Sequence, residues 1–130
     1  MKEYVLGFAF DLKKNKVLLL EKEKPIEQKG LLNGIGGKVE LNEDDLEAII
    51  REFFEETGIQ TVDQDWVKVG TMNYDHFKIH LFATNSCNIY HAKSTTDEKV
   101  SVHELDFNSL EKKGALNLSF FIKKSLSFIS

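Results

Sequence analysis

The sequence predicts one α/β (α+β) domain, a mixed β-sheet with helices packed on it. Three observations carry this expectation. Aliphatic and aromatic runs of strand length open the chain and recur in its middle, and stretches of helical periodicity separate and follow them. Several strands are joined by short polar turns of hairpin type, so part of the sheet is antiparallel. With 130 residues the chain has room for one hydrophobic core and not two, and residues 1–130 are read as a single domain.

Taken in order, Tyr4 to Asp11 and Lys16 to Lys22 form the opening hairpin, turning at the polar Lys13 to Lys16. From Glu23 to Val39 the composition becomes irregular around Pro25, Gly30, Gly34, Gly36 and Gly37, which predicts a long loop able to approach a ligand closely. The clearest helix follows. Asn42 is the expected cap, Glu43, Asp44 and Asp45 suit the positive end of the dipole, and Gly58 supplies a left-handed stop. Leu46, Ile49, Ile50 and Phe53 form its apolar stripe. Trp66 to Asn73 and Phe77 to Thr84 predict a second strand pair, with Phe77, Ile79 and Leu81 turned inward. After a polar loop from Asn85 to Lys99 come a short strand around Val100 and Val102, a short helix from Phe107 to Lys113, and an amphipathic helix from Asn117 to Ile129.

Composition excludes several classes. A net charge of -4 is not that of a general nucleic-acid binder, and no apolar run approaches the roughly 20 residues of a membrane span. Cys87 is the only cysteine, which rules out an intrachain disulfide and a four-thiolate zinc site. These features, with no leader-like start, predict a soluble cytoplasmic protein, monomer or homodimer, with a small-molecule partner rather than nucleic acid or membrane. The charge is unevenly spread. Glu40 to Glu56 holds eight acids and one base, Arg51, the only arginine in the chain.

On a helical wheel Glu52, Glu55 and Glu56 fall within a sector of about 100°. Three like charges on one face either stand in water or hold a cation, and hard carboxylate oxygens suit Mg²⁺. Glu43, Glu47 and Arg51 are spaced by four, so the arginine is placed to pair backwards. Alone, such a string is more often a solvated surface. Its context decides otherwise: GGKVELNEDDLEAIIREFFEETGI resembles the Nudix box, G-x5-E-x7-R-E-U-x-E-E-x-G-U, with U a bulky apolar residue. Gly37, Glu43, Arg51, Glu52, Phe53, Glu55, Glu56, Gly58 and Ile59 fill all nine fixed positions, a coincidence on the order of 10⁻⁹ per starting point from average residue usage. Phe53 where an aliphatic is usual, and Leu41-Asn42 where Pro-Gly is frequent, are mild departures.

The resemblance implies a Nudix-type α/β/α sandwich and hydrolysis of a nucleoside diphosphate linked to another group. It implies that Glu52, Glu55, Glu56 and the Gly36 carbonyl hold Mg²⁺, for which Mn²⁺ can substitute, and that Glu52 activates the attacking water with Arg51 beside it. Gly37, Glu43 and Gly58 shape the motif. Some family members take the base from a later loop, where Glu98 stands here; a solvated loop acid is the competing reading. The lead-in Asn33-Gly34-Ile35-Gly36-Gly37-Lys38 is similar to that of the MutT-type branch, which hydrolyses oxidised purine nucleoside triphosphates. In that likeness Asn33 reads a purine edge, for which an amide is chemically suited, unless it is only a turn asparagine. Lys38, and Lys22 or Lys24, are candidates to take phosphate charge. Asn117 resembles a second base contact, with a helix cap as the plainer alternative. His76 and His80 are expected to face solvent rather than bind a metal, Trp66, Phe120 and Phe121 to be core or pocket wall, and Cys87 to be inert.

Overall fold

The computed structural model describes residues 1–129. Strands β1 (Lys2–Phe10) and β2 (Lys16–Glu21) are followed by β3 (Leu32–Asn33), β4 (Ile35–Lys38), α1 (Asp45–Thr57), β5 (Val67–Asn73), β6 (Phe77–Thr84), β7 (Lys99–Glu104), α2 (Phe107–Lys113) and α3 (Leu118–Leu126). The opening pair is antiparallel only near its turn, where Ala9 faces Leu18 and Phe10 faces Val17. Beyond it the two strands splay apart. The wedge between them is filled by the glycine-rich segment: β3 pairs with the end of β2, and β4 with the start of β1, Leu6 opposite Gly36. Gly34 marks the crossing, where a Cβ would stand 2.9 Å from both the Gly7 carbonyl oxygen and the Phe8 ring. The stretch expected as a long loop is therefore largely sheet in its second half. Its strands are short and glycine-rich, so they carry no apolar alternation by which to be read.

On the other edge of β1 lies β6, parallel to it, with β5 antiparallel beyond, while β7 pairs antiparallel with the outer edge of β2. The sheet is mixed, as expected. Val5, Ala9, Leu18, Leu20 and Ile35 pack with Ala48, Ile49 and Phe53 of α1 and with Trp66. On the opposite face Leu6, Phe8, Phe10, Val17 and Leu19 meet Leu110, Leu118, Phe121 and Ile122 of α2 and α3. Successive residues of β1 and β2 thus enter two different cores, which is why both strands read as unbroken apolar runs. The layers are those of an α/β/α sandwich. Among the described residues no helix is long and apolar enough to cross a membrane.

Three local expectations need correction. The cap of α1 is Asp44, not Asn42: Asp44 accepts from the Glu47 amide at 2.8 Å while Glu47 accepts from the Asp44 amide at 2.9 Å, a reciprocal pair that Asn42 cannot form. Asn42 instead takes a left-handed turn with φ 70°. Helix α3 stops at Leu126 rather than Ile129. His80 is buried, not solvent-facing, because both faces of β6 are covered. Its Nε2 lies 2.7 Å from Glu3 of β1, and its Nδ1 is 3.1 Å from Lys68 Nζ, 3.2 Å from Thr71 Oγ1 and 3.5 Å from Asp45 of α1. This cluster ties the start of α1 to three strands.

Candidate active site

Helix α1 packs across β1 and β4, which sets Glu52 of its carboxylate face against Gly37 of β4. Gly58, left-handed at φ 76°, closes the helix with its amide donating to the Phe54 carbonyl at 2.9 Å. Arg51 organises the acidic face. Its Nε and Nη2 grip the two oxygens of Glu43 at 3.0 and 2.7 Å, Nη2 also donates to the Lys38 carbonyl at 3.0 Å, and Nη1 reaches Glu55 at 3.2 Å. Bidentate pairing of this kind needs the guanidinium fork. The Arg51 hydrogen bond lowers the Glu43 carboxyl from its ordinary value. The expected backward pairing of Arg51 is thus made with Glu43; Glu47 is spent on the capping box.

Glu52 is the most enclosed of the three clustered glutamates, its side chain 12% exposed against 52% for Glu55. Burial, with help from Glu55, Glu56 and Glu43, pushes its carboxyl up to about 7, against the opposing pull of Arg51. It rests on Gly37, where any Cβ would overlap the carboxylate. That contact explains why this position of the motif carries no side chain. Glu56 is also raised by burial, opposed by a hydrogen bond from Thr96 Oγ1 at 3.1 Å and by the charge of Lys22. Glu55 turns back to Arg51, and the hydroxyl of Thr95 donates to its carbonyl.

Among the described residues no three acidic, histidine or cysteine side chains converge on one point. Glu52 faces Gly37, Glu55 faces Arg51 and Glu56 faces Thr96, although all three project from one helical sector. The set nonetheless fits a hard divalent cation. Its donors are all oxygens, and burial and mutual repulsion have already raised two of the carboxyls, an imbalance that a cation would relieve.

A cavity of about 520 Å³ opens beside this face, and Gly36 and Gly37 of β4 form the boundary between the two. The volume lies within the range of small-molecule sites. Asn33, Asn117 and Gln28 place amides on its wall, and Lys22 is its cation. Phe77 stacks on Tyr74 with centroids 4.6 Å apart, and Tyr4 meets Phe77 edge-on at 5.9 Å. Asn33 Oδ1 accepts from the Gly34 amide at 2.8 Å, so the turn role and the cavity position coexist. Asn117 stands at the N-cap of α3 with φ 69°, yet its side chain makes no cap bond and lines the cavity instead.

Most of the residues singled out from sequence thus gather at one edge of the sheet. Lys38 is set apart: it stands on the far side of Glu52, lining a separate cavity of about 300 Å³ with Val39, Glu40 and Leu41. Glu98 lies by the neighbouring loop, its Oε2 accepting the Glu23 and Lys24 amides at 2.6 and 3.3 Å. Phe121 lines the cavity and Trp66 is core, but Phe120 is exposed rather than a wall. Burial pushes the Cys87 thiol up to about 11, in keeping with an inert residue. Sequence reasoning missed Tyr4, Tyr74 and Phe77. Their one signal is the parallel pairing of β1 with β6, which sets Tyr4 beside Ile79 and the 77–79 stretch.

The NUDIX domain model matches residues 3–117. The chain belongs to the Nudix family, whose members hydrolyse pyrophosphate bonds in small nucleotide substrates and generally use divalent metal ions. No curated protein matches it in sequence. Among solved structures it is similar to MutT from work on Aliivibrio salmonicida and Vibrio cholerae, with 17% identity, a TM-score of 0.76 and 98% of each chain covered. A MutT protein from Bacillus halodurans is 23% identical, with a TM-score of 0.71 over 95% of this chain and 80% of that one. A MutT/nudix family protein from Enterococcus faecalis is 17% identical with a TM-score of 0.67, over 79% of this chain but only 43% of its own length. At these identities the likeness is one of fold.

Proposed function

We propose that this chain is a Mg²⁺-dependent pyrophosphohydrolase that cleaves a nucleoside triphosphate to a monophosphate and pyrophosphate. A purine, and in particular an oxidised purine such as 8-oxo-dGTP, is the favoured base. The observation that carries this reading is the continuity of the site: a nucleoside-sized cavity with Asn33 and Asn117 on its wall adjoins the Glu52 cluster across Gly36 and Gly37. The MutT proteins it resembles in fold support the same branch.

In this reading Glu52, Glu55, Glu56 and the Gly36 carbonyl hold the metal, which when bound lowers the pKa of water and offsets charge on the leaving phosphate. Glu52, the most enclosed of the three and seated against Gly37, is the favoured group to accept the proton of the attacking water. Arg51 keeps the acidic face in register through Glu43 and Glu55, and Gly37 leaves room for the carboxylate. Asn33 and Asn117 orient the base. A hydrolase of ADP-ribose, nucleotide sugars or dinucleoside polyphosphates is the second reading, for which the cavity beyond Glu52 offers space for a second moiety. Rates and products on a panel of nucleoside triphosphates, their 8-oxo forms, ADP-ribose and dinucleoside polyphosphates test the choice. Monophosphate and pyrophosphate from purine triphosphates are expected, and faster turnover of ADP-ribose overturns the proposal.

A further inference from the structure

Each clustered glutamate of α1 has its own holder. Glu52 is enclosed against Gly37 and Glu55 is drawn to Arg51, and both holders lie inside the motif that runs from Gly37 to Ile59. The holder of Glu56 comes from elsewhere: Thr96, 40 residues on and in the loop before β7, donates its hydroxyl to Glu56 Oε2 at 3.1 Å. That hydroxyl is aimed by its own turn. It accepts from the Glu98 amide at 3.2 Å, which leaves its single proton for the carboxylate; the competing acceptor, the Glu98 carbonyl, is farther away at 3.4 Å. The loop is also pinned to the end of α1, where the Lys93 amide donates to the Thr57 carbonyl at 2.9 Å and the Thr95 hydroxyl to the Glu55 carbonyl. Carbonyls of a last helical turn have no partner within the helix, so the loop satisfies them. On the far side of Thr96, Glu98 Oε2 accepts the Glu23 amide at 2.6 Å. Thr96 thus stands on backbone fixed both before and after it.

A free glutamate side chain samples many rotamers, and ordering it at the moment of binding weakens that binding. A hydrogen bond that fixes the carboxylate beforehand removes part of this cost. It occupies one lone pair of Oε2, so the group keeps acceptor sites for a cation. Ligating carboxylates are commonly oriented by outer partners of this kind. We infer that Thr96 is a positioning residue for the metal centre: it pre-orders Glu56 as a ligand, so that the loop before β7 completes a site otherwise built from β4 and α1. The inference rests on the metal reading given above and adds to it a residue outside the motif. A hydroxyl that served only its own turn would leave metal affinity unmoved.

The test uses the full chain without nucleotide and reads the binding of Mn²⁺ alone, from the electron paramagnetic resonance signal of the free ion. Thr96 is exposed, so Thr96→Val should melt in EDTA close to the parent. It should nevertheless weaken Mn²⁺ binding by about tenfold, and Thr96→Ser should stay within about twofold of the parent. Glu56→Gln should weaken binding at least as much, and adding Thr96→Val to it should change the affinity little further, since one residue acts through the other. Parent-like affinity in Thr96→Val, with Glu56→Gln impaired, overturns the inference and leaves the metal centre standing. A loss in Thr96→Val that persists undiminished in the Glu56→Gln background, or that Thr96→Ser shares in full, overturns it too. If the parent shows no saturable Mn²⁺ binding, the metal reading fails and the inference fails with it.

Discussion

Replacing Glu52 by Gln should stabilise the metal-free protein, and the gain should depend on pH. In the folded chain this carboxyl is pushed up to about 7 from an ordinary 4.5, chiefly by burial and then by Glu55, Glu56 and Glu43. Between those two pH values the folded state keeps the proton that the unfolded chain has released. Stability therefore falls as pH rises through the window and is lowest above it. A gap of this size corresponds to at most about 3 kcal/mol, and partial solvent screening reduces it to roughly 2. An amide carries no charge at either end of the window. Urea unfolding in EDTA should thus show Glu52→Gln more stable than the parent by roughly 2 kcal/mol at pH 8, a midpoint shift of about 1 M, and nearly level with it at pH 5. A variant no more stable than the parent at pH 8, or a gap unchanged between the two pH values, would refute the claim that Glu52 is held under electrostatic stress.

Two glycines should separate stability from chemistry. At Gly36 a Cβ would run into the Val5 carbonyl, so Gly36→Ala should cost about 2 kcal/mol or more by thermal melt. At Gly37 its three nearest atoms would all belong to the Glu52 carboxylate, the far end of a side chain that can turn aside, so Gly37→Ala should melt close to the parent while turnover drops by about tenfold or more. Arg51→Lys forfeits the fork on Glu43 and should destabilise by about 1–2 kcal/mol, read by denaturation at pH 7. Asn33→Ala should narrow purine over pyrimidine discrimination in kcat/KM by roughly 1–3 kcal/mol, and equal rates on all bases in the parent would remove the basis for that role.

How much of this was legible in the sequence depended on the range of the forces involved. The Glu52, Glu55 and Glu56 face, the Gly58 stop and the Ile49 and Phe53 stripe are set within one helix, so spacing sufficed to place them. Short strands such as β3 and β4 could not be read that way. Their pairing comes from the splay of β1 away from β2, and glycine carries no apolar signal. The choice of Asp44 over Asn42 as cap turned on whether a glutamate stood three residues on, and Glu47 does so for Asp44. His80 was misplaced because its partners Glu3, Asp45, Lys68 and Thr71 come from three other elements. The same holds for the site's edge: Lys22 and Glu98 lie far apart in the chain and meet only because β7 pairs with β2, with Glu21 opposite Lys99.

The central claim is that the carboxylate face of α1 is a metal-dependent centre for hydrolysing a phosphoric anhydride. The most direct measurement is turnover of dGTP by the parent and by Glu56→Gln across a Mg²⁺ titration that begins in excess EDTA. The account predicts no turnover in EDTA, saturable activation of the parent by Mg²⁺, and a loss of orders of magnitude in Glu56→Gln at every metal concentration. Full activity in EDTA, or a Glu56→Gln variant activated as the parent is, would contradict it.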